Sequence, residues 1–338
     1  MGYGGNLIWT SVIKTLHERD RTPLAAVNLP GLSDLIAGRL YDSGATLETD
    51  AIFRNNPRLV FPPARHKGAV ARFIDGVFMR ALNLFSLREI YERLVFGCSE
   101  RAAKRGGSRM LHIDMRIHSY GARQTAKRII WKPQARTADA VMARFASGPA
   151  SEDCELYLTA AEHAAAADLI DRRNLSGGFI VIEPDTNRDY FGELRAWPRD
   201  RWESLLEQLR SSHPALAIVQ IGVPHGPPLL KVVDLRGKTD FRTACALLQR
   251  SRLFVGTEGG LMHAANAVGA RALILWGGIT LPEFAGYPNR QRTICKHVAC
   301  APCGQLGWCD NGHICMREIS VTEVHDAAAQ ALAAGAGH

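Results

Sequence analysis

The pattern of apolar and polar positions changes character along the chain. In the second half it is regular: Gly178-Phe-Ile-Val-Ile182, Ala217-Ile-Val-Gln-Ile-Gly222, Leu253-Phe-Val255 and Ala272-Leu-Ile-Leu-Trp276 are short apolar runs without alternation. Such runs predict strands covered on both faces. Between them lie helical segments. One opens at Pro198 and carries Trp202, Leu205, Leu206 and Leu209; the others span Phe241–Gln249 and Gly260–Val268. Proline suits the first helical position, where its missing N–H costs nothing. Strands alternating with helices predict a parallel sheet with right-handed crossovers, a Rossmann-like arrangement.

The first half is less regular. Gly2, Gly4 and Gly5 predict a loop ahead of an amphipathic helix over Leu7–His17. A glycine loop before a helix ordinarily follows a strand, and here the chain opens in the loop. Either that strand is absent or the recorded start lies downstream of the true one. Apolar pieces over Ala25–Leu32 and Arg58–Pro63 alternate with polar loops. Phe73–Phe96 has apolar residues three and four apart and predicts a helix. Its Arg72, Arg80, Arg88 and Arg93 fit the solvated side of a core-packed helix, the preferred expectation, or contact with a membrane surface. Met110-Leu-His-Ile-Asp114 predicts a strand with Asp114 at its C-terminal end, where functional side chains gather in open α/β sheets. A linker and a helix over Ala160–Arg173 separate an N-terminal domain (1–165) from a C-terminal one (175–318). Ser320-Val-Thr-Glu323 is a capping box for a last helix within 319–338, expected to brace the N-terminal domain.

Three groups of residues carry candidate chemistry. In Leu253–Ala267 a strand turns over glycines into a helix opening at Gly260. Free N–H groups and the positive dipole end make that an anion site; alone, the run equally fits a tight turn of any α/β domain. Arg195-Ala-Trp-Pro198 fixes a cation after the Gly178 strand, unless Arg195 only caps or packs on Trp197. Cys300, Cys303, Cys309 and Cys315 are spaced Cys-x₂-Cys-x₅-Cys-x₅-Cys, with Cys295 nearby. Four thiolates suit a tetrahedral Zn or Fe ion; free thiols or a disulfide are the alternatives. Cys98, Cys154 and Cys245 are isolated and expected to be buried.

Composition narrows the classes. No run of about 20 apolar residues exists to span a membrane. Met1–Asn6 lacks a signal-peptide pattern, so the cytoplasm is expected, where cysteines stay reduced or bind metal. Net charge is +8, and residues 101–150 hold eleven Lys and Arg against only Asp114 and Asp139. Such a field favours an anionic partner, or is simply a solvated basic surface. No nucleic-acid module accompanies it, which sets nucleic acid aside.

With these residues in view, the run Gly256-Thr-Glu-Gly-Gly-Leu-Met-His-Ala-Ala265, followed by Leu275-Trp-Gly-Gly278 and Pro282, resembles the signature of glycosyltransferase family 9, the heptosyltransferases. Asp234-Leu-Arg-Gly-Lys-Thr239 and Arg195-Ala-Trp-Pro-Arg-Asp-Arg-Trp202 fit the same family. The resemblance covers about residues 178–325 strongly and 4–17 weakly. The cysteine run looks like the iron-binding finger of autotransporter heptosyltransferases.

The resemblance implies a GT-B fold, two Rossmann-like, doubly wound domains facing across a cleft. The N-terminal one would hold an anionic glycolipid or protein acceptor, the C-terminal one a nucleotide sugar, ADP-heptose in most members. It implies inversion at the sugar, with no metal needed for the chemistry, and a base in the N-terminal domain. Arg195 stands where the family has a phosphate-binding Lys, and Glu258 where it has an Asp contacting sugar or nucleotide. Thr257, Gly259, Gly260, Leu261, Met262 and His263 would complete the donor cradle, with Gly5 and Asn6 from the first loop. His263 also fits a packed histidine bonded to backbone. The departure is Asn6, where the family carries its basic Asp; an amide cannot take the proton. Asp114 is the replacement candidate, with an ion pair to nearby arginines as its alternative.

The physics of these roles is independent of the family. A guanidinium and helix N–H groups favour the charge that develops on a leaving diphosphate. The expected activity is sugar transfer to lipopolysaccharide core, another envelope glycan or a protein, with possible contacts to the inner membrane and to further copies of the chain. The alternative is a catalytically impaired sugar-nucleotide-binding or scaffold protein. A nicotinamide-dependent dehydrogenase is disfavoured, because no acidic ribose ligand follows the glycine turn at the usual spacing.

Overall fold

Two parallel sheets carry the chain. The computed structural model describes residues 3–21, 24–41, 50–62, 66–85, 87–88, 90–92, 94–95, 97, 109–112, 122–124, 129–131, 136–143, 145, 148–185, 192–305 and 307–334. The N-terminal half holds strands β1 (Leu24–Val27), β2 (Leu59–Val60) and β3 (Arg109–His112) in the order β2-β1-β3, all parallel. Its helices are α1 (Tyr3–Asp20), α2 (Leu32–Ile36), α3 (Ala69–Leu84) and α4 (Thr137–Met142). A separate antiparallel pair joins β4 (Ala122–Gln124) to β5 (Ile129–Trp131).

The C-terminal half follows the predicted alternation. Helix α5 (Ala160–Arg172) precedes β6 (Phe179–Glu183), α6 (Gly192–Arg195), α7 (Arg199–Ser212), β7 (Ala217–Gln220) and β8 (Val233–Asp234). Then come α8 (Phe241–Arg250), β9 (Leu253–Thr257), α9 (Gly260–Ala267), β10 (Ala272–Trp276), α10 (Pro282–Ala285), β11 (Arg292–Cys295), α11 (Ile314–Arg317) and α12 (Val321–Ala333). The sheet order is β11-β10-β9-β6-β7-β8, every neighbouring pair parallel. Pro198 stands one place before the first helical residue of α7.

The two faces of this sheet are buried differently. Ile180, Ile182, Val255 and Leu275 pack against Trp202, Leu205 and Leu209 of α7 and Val324 and Ala328 of α12. On the other face, Val181, Phe254 and Ile274 share a core with Met262 of α9 and with Leu7, Trp9, Val12 and Ile13 of α1. Burying one such side chain is worth about 1.5–3 kcal/mol. Helix α1 therefore packs on the C-terminal half through α9 while sharing the same core with Leu24, Leu59 and Leu111 of the N-terminal sheet.

Three expectations are corrected. Gly4 and Gly5 lie inside α1 and not in a loop, because the helix starts at Tyr3. Gly4 is needed there for close approach: a Cβ would stand 2.7 Å from Cδ2 of His263. Helix α12 lies on α7 and the C-terminal sheet, where Val324, Ala327 and Ala328 meet the leucine face of α7. It does not brace the N-terminal domain. Helix α3 buries none of its side chains, so it is not the core-packed helix expected.

The halves are tied by the stretch between α4 and α5 and by Arg242. Lys14 pairs with Asp153 at 2.8 Å, and the Cys154 N–H donates to Asn266 Oδ1 at 2.7 Å. Arg242, 1 % exposed, donates to Glu162 at 2.6 Å, to the Ala51 carbonyl at 2.7 Å and to the Tyr157 carbonyl.

Candidate functional site

From β6 the chain builds outward through β7 and β8, then returns to lay β9, β10 and β11 on the opposite side. The strand order therefore reverses between β6 and β9, and ligands of open α/β sheets bind outside the strand C-termini at such a point. Register pairs Glu183 with Gly256, so β6 ends at Glu183 beside Thr257 and Glu258. Arg195, the last residue of α6, places Nε 2.6 Å from Glu258 Oε2. Both side chains are largely shielded from solvent.

Two helix N-termini meet beside this pair. A Cβ on Gly260 would lie 4.0 Å from the Gly4 backbone nitrogen, and the ring of Tyr3 stacks on Phe241 at 4.0 Å. Neither α1 nor α9 has an acidic residue in its first turn, and Gly259 offers no side-chain cap. Each positive end is worth about 0.3–1 kcal/mol to an anion, up to about 2 when buried. Polar groups without partners among the described residues gather in the same region: Asn6 Oδ1, Glu183 Oε2, Thr257 Oγ1 and Thr280 Oγ1, all on buried residues. Unmet buried polar atoms are costly, and a polar ligand would satisfy them.

Glu183 and Thr280 are additions to the residues singled out in the sequence. Burial pushes the Glu183 carboxyl up to about 8; nearby Arg195 works against this and Asp185 reinforces it. The available signal was a carboxylate ending an apolar strand, the same pattern that singled out Asp114. Asp114 itself lies outside the described residues.

The remaining expected residues divide by what they touch. His263 is buried with Nδ1 2.6 Å from the Tyr287 hydroxyl, so its partner is a side chain and not the backbone. Burial, and secondarily Arg195, takes it down to about 3, which leaves it neutral. Leu261 and Met262 are buried in the core, and Gln291 donates to the Met262 carbonyl at 2.6 Å. Gly5 and Asn6 sit in the first turns of α1, and Asn6 is 1 % exposed.

The four cysteines form a separate group, Cys300, Cys303 and Cys309 on the loop between β11 and α11 and Cys315 in the first turn of α11. The Cys303 N–H donates to the Gly278 carbonyl at 2.8 Å, docking the loop on the turn after β10. Burial pushes the Cys303 and Cys315 thiols up, and nearby Cys300 and Cys309 push both further. The donor set suits a soft tetrahedral ion in type and neighbourhood. Among the described residues, though, no three His, Cys, Asp or Glu side chains form a closed metal-ligand group. Cys154 and Cys245 are buried as expected, and Cys98 lies outside the described residues.

The model of glycosyltransferase family 9 (heptosyltransferase) matches residues 123–307. No curated protein matches the chain. A family 9 glycosyl transferase from Veillonella parvula DSM 2008 is 14% identical over 99% of this chain and 95% of its own, with a TM-score of 0.60. The iron-containing dodecameric glycosyltransferase TibC from enterotoxigenic E. coli H10407 is 14% identical over 93% and 77%, with a TM-score of 0.52. E. coli ADP-heptose lipopolysaccharide heptosyltransferase II is 18% identical, and the chain spans only 57% of its length, with a TM-score of 0.44. At these identities the structures establish the α/β fold with parallel sheets and nothing finer.

Proposed function

Because the chain belongs to glycosyltransferase family 9, the heptosyltransferase family, we propose that it transfers heptose from ADP-heptose, with inversion, to an envelope acceptor. That acceptor is a lipopolysaccharide-core glycolipid, another envelope glycan or a protein, reached from the cytoplasm at the inner membrane. The observation that carries the donor side is the meeting of Arg195 with two unopposed helix N-termini at the switch point of the sheet. A leaving diphosphate gains charge as the sugar bond breaks, and fixed donors there lower the barrier without reorganising. Diphosphate oxygens would compete with Glu258 for Arg195 and release the Glu258 carboxylate to accept from sugar or ribose hydroxyls.

Acceptor activation needs a base, and Asn6 cannot serve. We assign that role to Asp114. The cysteine loop would hold a structural Zn or Fe ion through Cys300, Cys303, Cys309 and Cys315, stapling the loop and taking no part in transfer. A second reading, a sugar-nucleotide-binding protein without turnover, is favoured by one observation: the buried amide of Asn6 where a carboxylate is expected.

The test is incubation of purified protein with ADP-heptose and candidate acceptors, with ADP release and transfer read by mass spectrometry. Wild type should turn over. Arg195→Ala should lower kcat by about 10²–10³, with Arg195→Lys intermediate because it keeps charge and loses the fork. Asp114→Asn should abolish transfer while ADP still binds. Wild type that binds ADP without turnover would sink the enzyme reading, and an Arg195→Ala variant at wild-type rate would remove Arg195 from the site.

A further inference from the structure

Helix α3 carries more apolar surface than its contacts with the protein cover. Its half-buried side holds Ile74, Phe78, Met79 and Leu82 around one fixed polar anchor: Asp75 accepts from the Ser33 N–H and hydroxyl, both at 2.8 Å, and from Lys67 Nζ at 2.9 Å. Lys67 also reaches Asp34, which is buried. Gly31 makes room for this, since a Cβ there would stand 2.1 Å from Asp75 Cγ. Beyond the helix, the Tyr91 hydroxyl donates to the Pro30 carbonyl at 2.7 Å, with Phe78 edge-on to Tyr91. The outward side is apolar. Val70, Phe73, Val77 and Leu84 lie on it, Phe73 72% and Leu84 79% exposed, and Phe85 and Ile90 are exposed beyond the helix end. A contiguous row of large apolar side chains in water marks an interaction surface.

Charge decides what covers it. Arg72 and Arg80 are exposed beside the stripe. Between residues 64 and 96 the chain carries Arg65, Lys67, Arg72, Arg80, Arg88 and Arg93 against Asp75, Glu89 and Glu92. Two of those acids are already engaged, Asp75 by Lys67 and Glu92 by Arg88. A second copy of the chain on this face would set arginines against arginines. An anionic bilayer surface satisfies both halves of the pattern, with acyl chains for the stripe and phosphates for the guanidinium groups. A hollow of about 310 Å³ opens at its flank, with Arg72, Met79 and the paired Lys67 and Asp75 in its wall, and offers room for a lipid headgroup. At 16 residues the helix is too short to cross a bilayer, and no helix among the described residues is long and apolar enough to do so.

We propose that the outward face of α3 docks this protein flat on an anionic lipid bilayer. This gives a location on the molecule to the membrane contact in the reading above, and it does not depend on the transfer reaction. The full chain is sedimented with vesicles of phosphatidylcholine plus phosphatidylglycerol, and with phosphatidylcholine alone, at low and high salt. Binding should require the anionic lipid and weaken with salt. Phe73→Ser with Val77→Ser and Leu84→Ser should lower partitioning by at least about tenfold. Arg72→Gln and Arg80→Gln should each cost about fivefold. These positions are exposed, so circular dichroism, melting temperature and ADP binding should stay at wild-type values.

No binding to anionic vesicles by folded wild type overturns the proposal, as does undiminished binding by the serine variant. A wild-type oligomer that the serine variant dissociates overturns it too, because the stripe then belongs to a second copy. The outcomes separate cleanly from those of the transfer assay. Vesicle binding without turnover counts against transfer alone, and turnover of a soluble acceptor without vesicle binding counts against docking alone.

Discussion

Glu183 has a carboxyl that is neutral over most of the physiological range. With burial holding it up to about 8, it adds little negative charge to the site proposed for a diphosphate. Its folded pKa lies above the unfolded one, so the native state binds the extra proton between about 4.5 and about 8. The associated stability is therefore complete below the unfolded value and lost as pH rises through about 8. The same ionisation would repel ADP. ADP affinity of wild type should fall above that pH, whereas Glu183→Gln, neutral throughout, should bind ADP with a flat profile and lose its alkaline destabilisation. Calorimetric titration across that range decides it: a wild-type profile as flat as the variant's would remove Glu183 from the donor site. Arg195 and Glu258 were legible in sequence because both sit in motifs. Glu183 was not, because the property that sets it apart is burial at a strand junction, which no single segment encodes.

At the scale of elements, the cysteine loop makes its own prediction. Its backbone is anchored by the Cys303 and Gly304 N–H groups donating to Gly278 and Ile279 carbonyls. The Cys309 sulfur accepts from the His313 N–H at 3.3 Å. Burial makes the Cys303 and Cys315 thiols resist ionisation; a bound ion would reverse this and take thiolates directly. Elemental analysis of purified protein should find about one equivalent of Zn or Fe, lost in Cys303→Ser with Cys315→Ser, together with a drop in melting temperature. Protein without stoichiometric metal would leave the loop as four thiols. Element types in the C-terminal half were readable because unbroken apolar runs this short, rich in Val and Ile and bounded by turn residues, suit doubly covered strands. The orientation of α3 was not. Spacing shows that a helix has an apolar stripe, and it does not show whether the stripe faces the core or the solvent.

For the whole molecule, Arg242 is one of the ties between the halves, beside the Lys14–Asp153 pair and the core that α1 shares with the C-terminal sheet. Burial raises the Glu162 carboxyl, but hydrogen bonds from Arg242 and Thr159 more than offset this and hold it down to about 2. A depressed carboxylate stabilises the fold above its unfolded pKa, and that contribution vanishes as pH falls through about 2. Arg242→Met should destabilise the neutral protein by about 3 kcal/mol, the low end for a broken buried pair because Arg54 still reaches Glu162. Its acid unfolding should begin at higher pH, and its melt should separate into two transitions as the halves lose this link. A single transition with unchanged acid midpoint would show that the halves are held elsewhere.

Sequence by itself determined the local chemistry of this protein: where strands and helices fall in the C-terminal half, the glycine turn, the cation after β6, the cysteine spacing and the amide at position 6. These follow from properties a short segment carries alone, namely periodicity, backbone freedom and side-chain charge. Only the tertiary structure decided what meets what. It folded Gly4 and Gly5 into α1 and set that helix against α9, and it closed Arg195 on Glu258 and buried Glu183 beside them. It also laid α12 on its own sheet and turned an apolar face of α3 outward. Each of these depends on which surfaces exclude water from one another, and that is settled between segments far apart in the chain.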